Sequence, residues 1–339
     1  MRRQQALKYP LGLFFFTLLI SGCGVKPEAK GDLSRVMVFA DEEIYDLCQR
    51  QLSAALERVI NTPQPETVFN LQRAPFDKLA EFTQAPNVLI LGTLEGRGEV
   101  SRYAQEMLDE KARKGIEDGV YWFFAKQEAW RRGQLLVVIL TNDKEELDSR
   151  LQFGGDDLYR TLHQSMMSRL ENSLYAKLEQ RNLAGEIASK YGFILRVQHD
   201  YKLISGDVQR RFLQLRRYQP SRWLTVTWQK GDTLTAAALI NERVRIGGLF
   251  ADSCRIEADY NVIQRDERIL PGGLLLRGLW ATAKQNIGGG PFFTFGVLDK
   301  QSGTVYFIDG AVFNPGGLKL PFLQQVEAMA LTFRPGSGK

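Results

Sequence analysis

The 339-residue chain carries 44 Lys and Arg against 39 Asp and Glu, a formal net charge of +5. Three of the basic residues, Arg2, Arg3 and Lys8, fall within the first 22, which contain no acid, so the balance without that stretch is +2. The basic character therefore belongs mainly to the leader, and a nucleic-acid partner, which requires a concentrated basic footprint, loses its main compositional support and is not expected.

Residues 1–22 have the form of a signal peptide. A positive n-region precedes an apolar run over residues 11–20 that is too short to cross a bilayer as a permanent helix. The run ends in Ile20-Ser21-Gly22-Cys23, which looks like a bacterial lipobox: small residues before a cysteine that receives lipid and becomes the new N-terminus. Cys23 is thus the expected lipid attachment, holding the protein on a membrane surface without a spanning helix. Gly24 stands where an aspartate would favour retention at the inner membrane, so the expected place is the cell envelope, on the outer membrane facing the periplasm. Residues 23–34 read as a flexible tether. No later segment is long and apolar enough to span.

The remainder, about 315 residues, suffices for one large or two ordinary domains. From residue 35 to 180, apolar strands alternate with helices. Residues 36–40 form a strand, Asp41 caps the next helix with Glu42 and Glu43 in its first turn, and further strands are expected near residues 68–71, 88–91, 120–125 and 135–140. A helix over residues 100–114 stops at Gly115, and Asn142 with Glu145 resembles a capping arrangement for a helix to Leu151. A separate long helix is expected over residues 157–180, where Leu158, Leu162, Met166, Leu170, Leu174 and Leu178 recur every four residues. Continuously apolar strands argue for a mixed sheet covered by helices.

From residue 181 to 335 the pattern changes. Strands over 193–197, 211–218 and 224–228 follow one another with short connections, one helix is expected over 233–243, and glycine turns lead into strands and a closing helix over 321–333. The expected class is α+β and two-lobed: a helix-covered mixed sheet followed by an antiparallel sheet with a few covering helices.

Several stretches resemble an uncharacterised lipoprotein family of Bacteroidetes, domain of unknown function 4837. They are Arg73-Ala74-Pro75-Phe76, Asn87-Val88-Leu89-Ile90, Asp200-Tyr201-Lys202-Leu203, Arg277-Gly278-Leu279-Trp280, Gly289-Gly290-Pro291-Phe292 and Gln325-Val326-Glu327-Ala328. The resemblance covers most of the chain after the leader. It departs at Ala281, where the family tends to carry an acid, and at Gly288, where it tends to carry methionine. It implies boundaries and compartment but no activity. The element order of the second lobe also looks like the PsbP/Mog1-type α/β sandwich, whose members mostly bind or assemble partners, a likeness at the level of fold alone.

Residues that could carry chemistry are few. The two histidines, His163 and His199, have no partner at metal-ligand spacing, and no metal or cofactor is expected. His163 is expected at a surface or interface, and His199-Asp200-Tyr201 in a turn. The run Gly288-Gly289-Gly290-Pro291 could cradle an anion, but a strand follows it and no lysine does, which favours a turn needing positive φ. Arg210, Arg211, Arg216, Arg217 and Arg222 read as a solvated sheet face or a contact for an anionic partner. Cys48 lies on an apolar helix face as a buried thiol, or bridges to Cys254.

By alternation Arg277 shares a strand face with Leu275 and Leu279, and Asp309 one with Phe307 and Phe313. Buried charges are usually paired, so the two are expected to form an ion pair, or a ligand-binding pair in a cleft together with Trp280, Gly289 and Gly290. The function expected from these residues is non-catalytic binding or assembly in the envelope, with a protein partner and an unidentified ligand. An envelope hydrolase using Asp299 or Asp309 between the lobes is the alternative. A third, a scaffold, would expose an apolar patch around Trp223 and Trp280.

Overall fold

The computed structural model describes residues 26–249, 253–282 and 288–336, so the leader and Cys23 lie outside the described residues. The first lobe contains β1 (Arg35–Ala40), α1 (Glu42–Leu56), β2 (Asn70–Arg73), β3 (Asn87–Thr93), α2 (Glu99–Glu106), α3 (Glu110–Glu117), β4 (Phe123–Gln127) and β5 (Leu135–Thr141). These strands form one sheet in the order β2-β1-β3-β5-β4, parallel except for β4. β3 and β5 are buried along their whole length because helices cover both faces. Val36, Val38, Leu89 and Val137 meet α1 on one side, while Met37, Phe39, Ile90 and Val138 meet Val100 and Ala104 of α2 on the other. This is why the strands read as continuous apolar runs.

The next helix, α4 (Lys144–Tyr175), is one continuous element of 32 residues where the sequence suggested two. It spans about 48 Å at 1.5 Å per residue. Its cap is Asp143, which accepts from Glu146 N at 2.7 Å, while the Glu146 carboxylate accepts from Asn142 N at 3.1 Å. The capping box is therefore shifted one residue from the expected Asn142 and Glu145. Gly154 and Gly155 do not break the helix; they thin it for a neighbour. A Cβ on Gly155 would stand 2.8 Å from the Ala55 Cβ of α1. The expected helix over 100–114, by contrast, is divided at Asp109, whose side chain caps α3 by accepting from Ala112 N.

After α5 (Arg181–Tyr191) the second lobe contains β6 (Lys202–Asp207), β7 (Phe212–Tyr218), β8 (Ser221–Lys230), α6 (Ala236–Gly247), β9 (Cys254–Arg265), β10 (Leu274–Thr282), β11 (Gly289–Asp299), β12 (Thr304–Phe313) and α7 (Leu320–Ala330). Seven strands make one antiparallel sheet in the order β9-β10-β11-β12-β8-β7-β6. α7 packs on one face over Leu224, Phe293 and Ile308. α6 covers the other, where Leu239 joins Leu276, Trp280 and Phe307. The chain is thus a two-domain α+β protein.

Some smaller expectations change in three dimensions. Gly289 and Gly290 lie in the extended strand β11, not in a turn of positive φ. They are glycine because the neighbouring backbone comes too close: a Cβ would meet the Trp280 carbonyl oxygen at 2.4 Å from Gly289 and that of Val312 at 2.0 Å from Gly290. His199 and Asp200 form the turn before β6, with Asp200 at φ 63° and its carboxylate 2.9 Å from His199 Nδ1. Cys48 is buried in the first-lobe core, where burial pushes its thiol pKa up to about 12, and no disulfide joins it to Cys254 at the start of β9. Among the described residues no helix is long and apolar enough to cross a membrane.

Candidate functional site

The antiparallel register decides the fate of the expected Arg277–Asp309 pair. Asp309 stands opposite Thr294, and Thr294 opposite Leu276; Arg277 stands opposite Phe293, and Phe293 opposite Gly310. The two charges are one register step apart, and in a pleated sheet that places them on opposite faces. Each has found a different partner from a different helix.

On the α6 face, Gln214, Thr225, Asp309 and Thr294 form a buried polar row across four strands. Thr294 Oγ1 donates to Asp309 Oδ2 at 2.7 Å, and Arg243 of α6 brings Nε to 3.0 Å of the same oxygen without the alignment of a hydrogen bond. Both side chains are essentially inaccessible, at 1% and 0%, and the Arg243 guanidinium lies 4.3 Å from the Phe292 ring centre. Burial pushes the Asp309 carboxyl above its usual range, with Arg243 and Thr294 opposing but not cancelling the shift. Trp280 belongs to this face, buried edge-on against Trp223 at 6.2 Å, so these two tryptophans do not form the exposed patch considered above.

Arg277 faces the other way, into a cleft of about 620 Å³ between the lobes. Its Nη2 donates to both oxygens of Glu327 in α7, at 2.7 and 2.8 Å. Arg268 donates to the same carboxylate at 2.8 Å and to Asp266 at 2.6 Å. Burial alone would raise the Glu327 carboxyl, but the two guanidinium groups outweigh it and hold its pKa at about 2. The opposite wall comes from the first lobe. Tyr159 and His163, one turn apart on α4, stack with ring centres 5.4 Å apart and planes at 15°, and Arg58 lies over Tyr159 at 3.9 Å. Burial, with the nearby arginines, lowers the His163 imidazole to about pKa 4 despite the opposing Glu327 charge. His163 is therefore a neutral donor and acceptor at physiological pH.

The cleft gathers hydrogen-bond donors, a neutral imidazole and aromatic faces, and its deepest carboxylate is fully engaged. Asp309 is sealed on the far side of the sheet, and Asp299, the last residue of β11, accepts from Gln301 N of the following turn at 3.0 Å, so neither lines the cleft. Among the described residues no group of three or more His, Cys, Asp or Glu side chains is placed to hold a metal ion. Of the expected site residues only Arg277 lines the cleft, while Asp309 and Trp280 lie on the α6 face and Gly289 and Gly290 in β11 between neighbouring strands. Glu327, Arg268, Tyr159 and His163 were not singled out together. A single charged residue between Val326 and Ala328 in a mostly apolar helix was the available signal for Glu327. The arginine cluster is also not a simple solvated face, since Arg222 is 2% exposed and lies 4.9 Å from the Phe322 ring centre.

Two sheets of different type, each with its own helices and a cleft between them, define a two-domain α+β protein. Residues 180–332 match the family model described as Domain of unknown function (DUF4837), and residues 29–175 match the model described as Domain of unknown function (DUF8532). The resemblance expected over most of the chain is therefore divided: the Arg73-Ala74-Pro75-Phe76 and Asn87-Val88-Leu89-Ile90 stretches fall in the second model's range. No curated protein matches the chain.

Proposed function

We propose that this chain is a non-catalytic binding or assembly protein of the bacterial envelope, moored through lipid on Cys23, with the cleft between its lobes as the recognition surface. The observation that carries the reading is the Arg277–Glu327–Arg268 cluster facing the Tyr159–His163 stack. A carboxylate held ionised by two guanidinium groups is a poor proton donor or acceptor near neutrality, whereas fixed donors beside aromatic faces suit recognition. The lipobox and the following Gly24 support the outer membrane, facing the periplasm, as its place.

The cleft is tested by installing a photoreactive benzoylphenylalanine at the exposed cleft residue Gln164 and, as a control, at Glu117 on α3. Irradiation in the native envelope should give discrete adducts from the first position alone; equal labelling from both, or none from Gln164, overturns the reading. The mooring has its own test. Cys23→Ser should shift the protein out of the membrane fraction, and a variant that stays there removes the lipid from the argument.

A further inference from the structure

The cleft has an open sheet edge along one side, and this edge points to a class of partner. β9 is the last strand of the seven, and among the described residues it pairs with β10 alone. Its register slips between Glu257 and Val262, leaving residues 262–265 as the straight stretch beside the cleft. Edge strands are normally blunted by charge, because an unpaired row of N–H and C=O groups is a template for another strand. Here the residues turned toward the cleft include Tyr260 and Val262, which are 45% and 55% exposed. β6, at the opposite edge, also exposes apolar residues, but it borders neither the cleft nor its arginines.

Charge selects the occupant. Of the four acids that line the cleft, Glu327 and Asp266 on its floor are sunk, at 3% and 6% exposure, Asp156 is paired with Arg58 and Glu267 accepts from Gly272 N, while Arg268 and Arg277 on the floor remain at 34% and 22%. The floor therefore presents guanidinium rather than carboxylate. Arg277 stands directly across from Val262 in the β9–β10 register. A strand added beyond Val262 would lie two strand spacings, about 10 Å, from the Arg277 backbone, a gap that a glutamate and an arginine side chain can close together.

We propose that β9 receives an extended, acidic segment of a protein partner as an eighth strand, its alternate side chains entering the cleft toward Arg277 and Arg268. This rests on the cleft being the recognition surface and names what it recognises. The main-chain ladder provides attachment, and the arginines select the side chains, as in other strand-addition complexes.

The test presents a random twelve-residue displayed-peptide library to the immobilised full chain. Enriched peptides should carry Asp or Glu at alternate positions among β-branched residues. Binding should fall about tenfold or more with Arg277→Gln, and likewise with Val262→Glu, which puts a competing carboxylate beside Arg277 at an exposed position that tolerates it. Hydrogen exchange should slow at alternate amides of residues 262–265 when peptide is bound. No enrichment, or enrichment without acidic bias, overturns the proposal. Peptides that need Arg277 but leave β9 exchange unchanged overturn strand addition while keeping the cleft; peptides indifferent to Arg277→Gln sink both. Self-association abolished by Val262→Glu assigns the edge to a second copy of this chain and overturns the peptide partner.

Discussion

The two faces of the seven-stranded sheet each bury a carboxylate against arginine, and they do opposite things with it. Under α6, Asp309 is sealed with Arg243, and burial lifts its pKa because one imperfectly aligned guanidinium and one hydroxyl do not replace water. Under α7, Glu327 is almost as buried, yet two arginines that still reach solvent lower its pKa to about 2. The difference lies less in the acid's own burial than in whether its partners remain hydrated and how many hydrogen bonds they make. A dry pair fixes one arrangement of the core; a half-wet cluster keeps charge available at a surface.

The contrast is broken most severely on the dry side. Asp309→Ala leaves Arg243 buried without its acid and should cost about 3–5 kcal/mol in urea unfolding, whereas the double variant Arg243→Met with Asp309→Leu should recover most of the loss. A loss by the double variant as large as by the single one would show that the pair itself contributes net stability.

Acidity sharpens the comparison. The folded pKa of Glu327 lies below its ordinary value of 4.5, so its contribution is present above pH 4.5 and is lost as pH falls toward about 2. The effect is on the order of 3 kcal/mol. Asp309 is shifted the other way: its relative stabilisation is greatest below pH 3.8 and fades as pH rises through its raised folded value. Glu327→Gln should therefore flatten the acid limb of the stability–pH curve and Asp309→Asn should steepen it, as measured by denaturant midpoints at successive pH values. Equal slopes in the two variants would refute the assignment.

The faces also differ in how tightly they are packed. Gly290→Ala drives a Cβ to 2.0 Å from the Val312 carbonyl beside Trp280, and backbone cannot move aside cheaply, so a loss of about 2 kcal/mol or more is expected. Val262→Ala, on the exposed cleft side, should change stability by less than about 0.5 kcal/mol. The smallest effect is spectroscopic. The His163 ring should titrate near pH 4 by NMR, and Tyr159→Ala, which opens the stack to water, should move that midpoint toward 6.5.

What could be read in advance follows from burial. β3 and β5, covered on both faces, stood out as apolar runs, and β8 was legible along part of its length. Neither β9 nor β6 was expected as a strand, because an edge strand wetted on much of both faces has little apolar alternation to reveal it. Alternation within β10 and β12 placed Arg277 and Asp309 among apolar neighbours, but it is silent on the offset between strands, and that offset separated them. Residues 144–175 read as two helices because the reason for one of the glycines between them is not local: the close neighbour that Gly155 accommodates, Ala55, lies a hundred residues away in sequence. The cleft was the least legible part, since Tyr159 and His163 come from one lobe and Arg277 and Glu327 from the other.

One contact bears on how the cleft behaves as a whole. Glu66 of the first lobe accepts from Lys319 N at 2.9 Å through Oε1 and from Leu320 N at 3.0 Å through Oε2, capping α7 of the second, and Thr62 Oγ1 also donates to Oε1 at 2.7 Å. Prising the lobes apart would strip a helix end of its cap, so the jaws are latched at a set gape. If the cleft is the recognition surface proposed above, its occupant would be sorted by thickness before chemistry is consulted, and loosening Glu66 should blur that gauge while leaving the walls themselves unaltered.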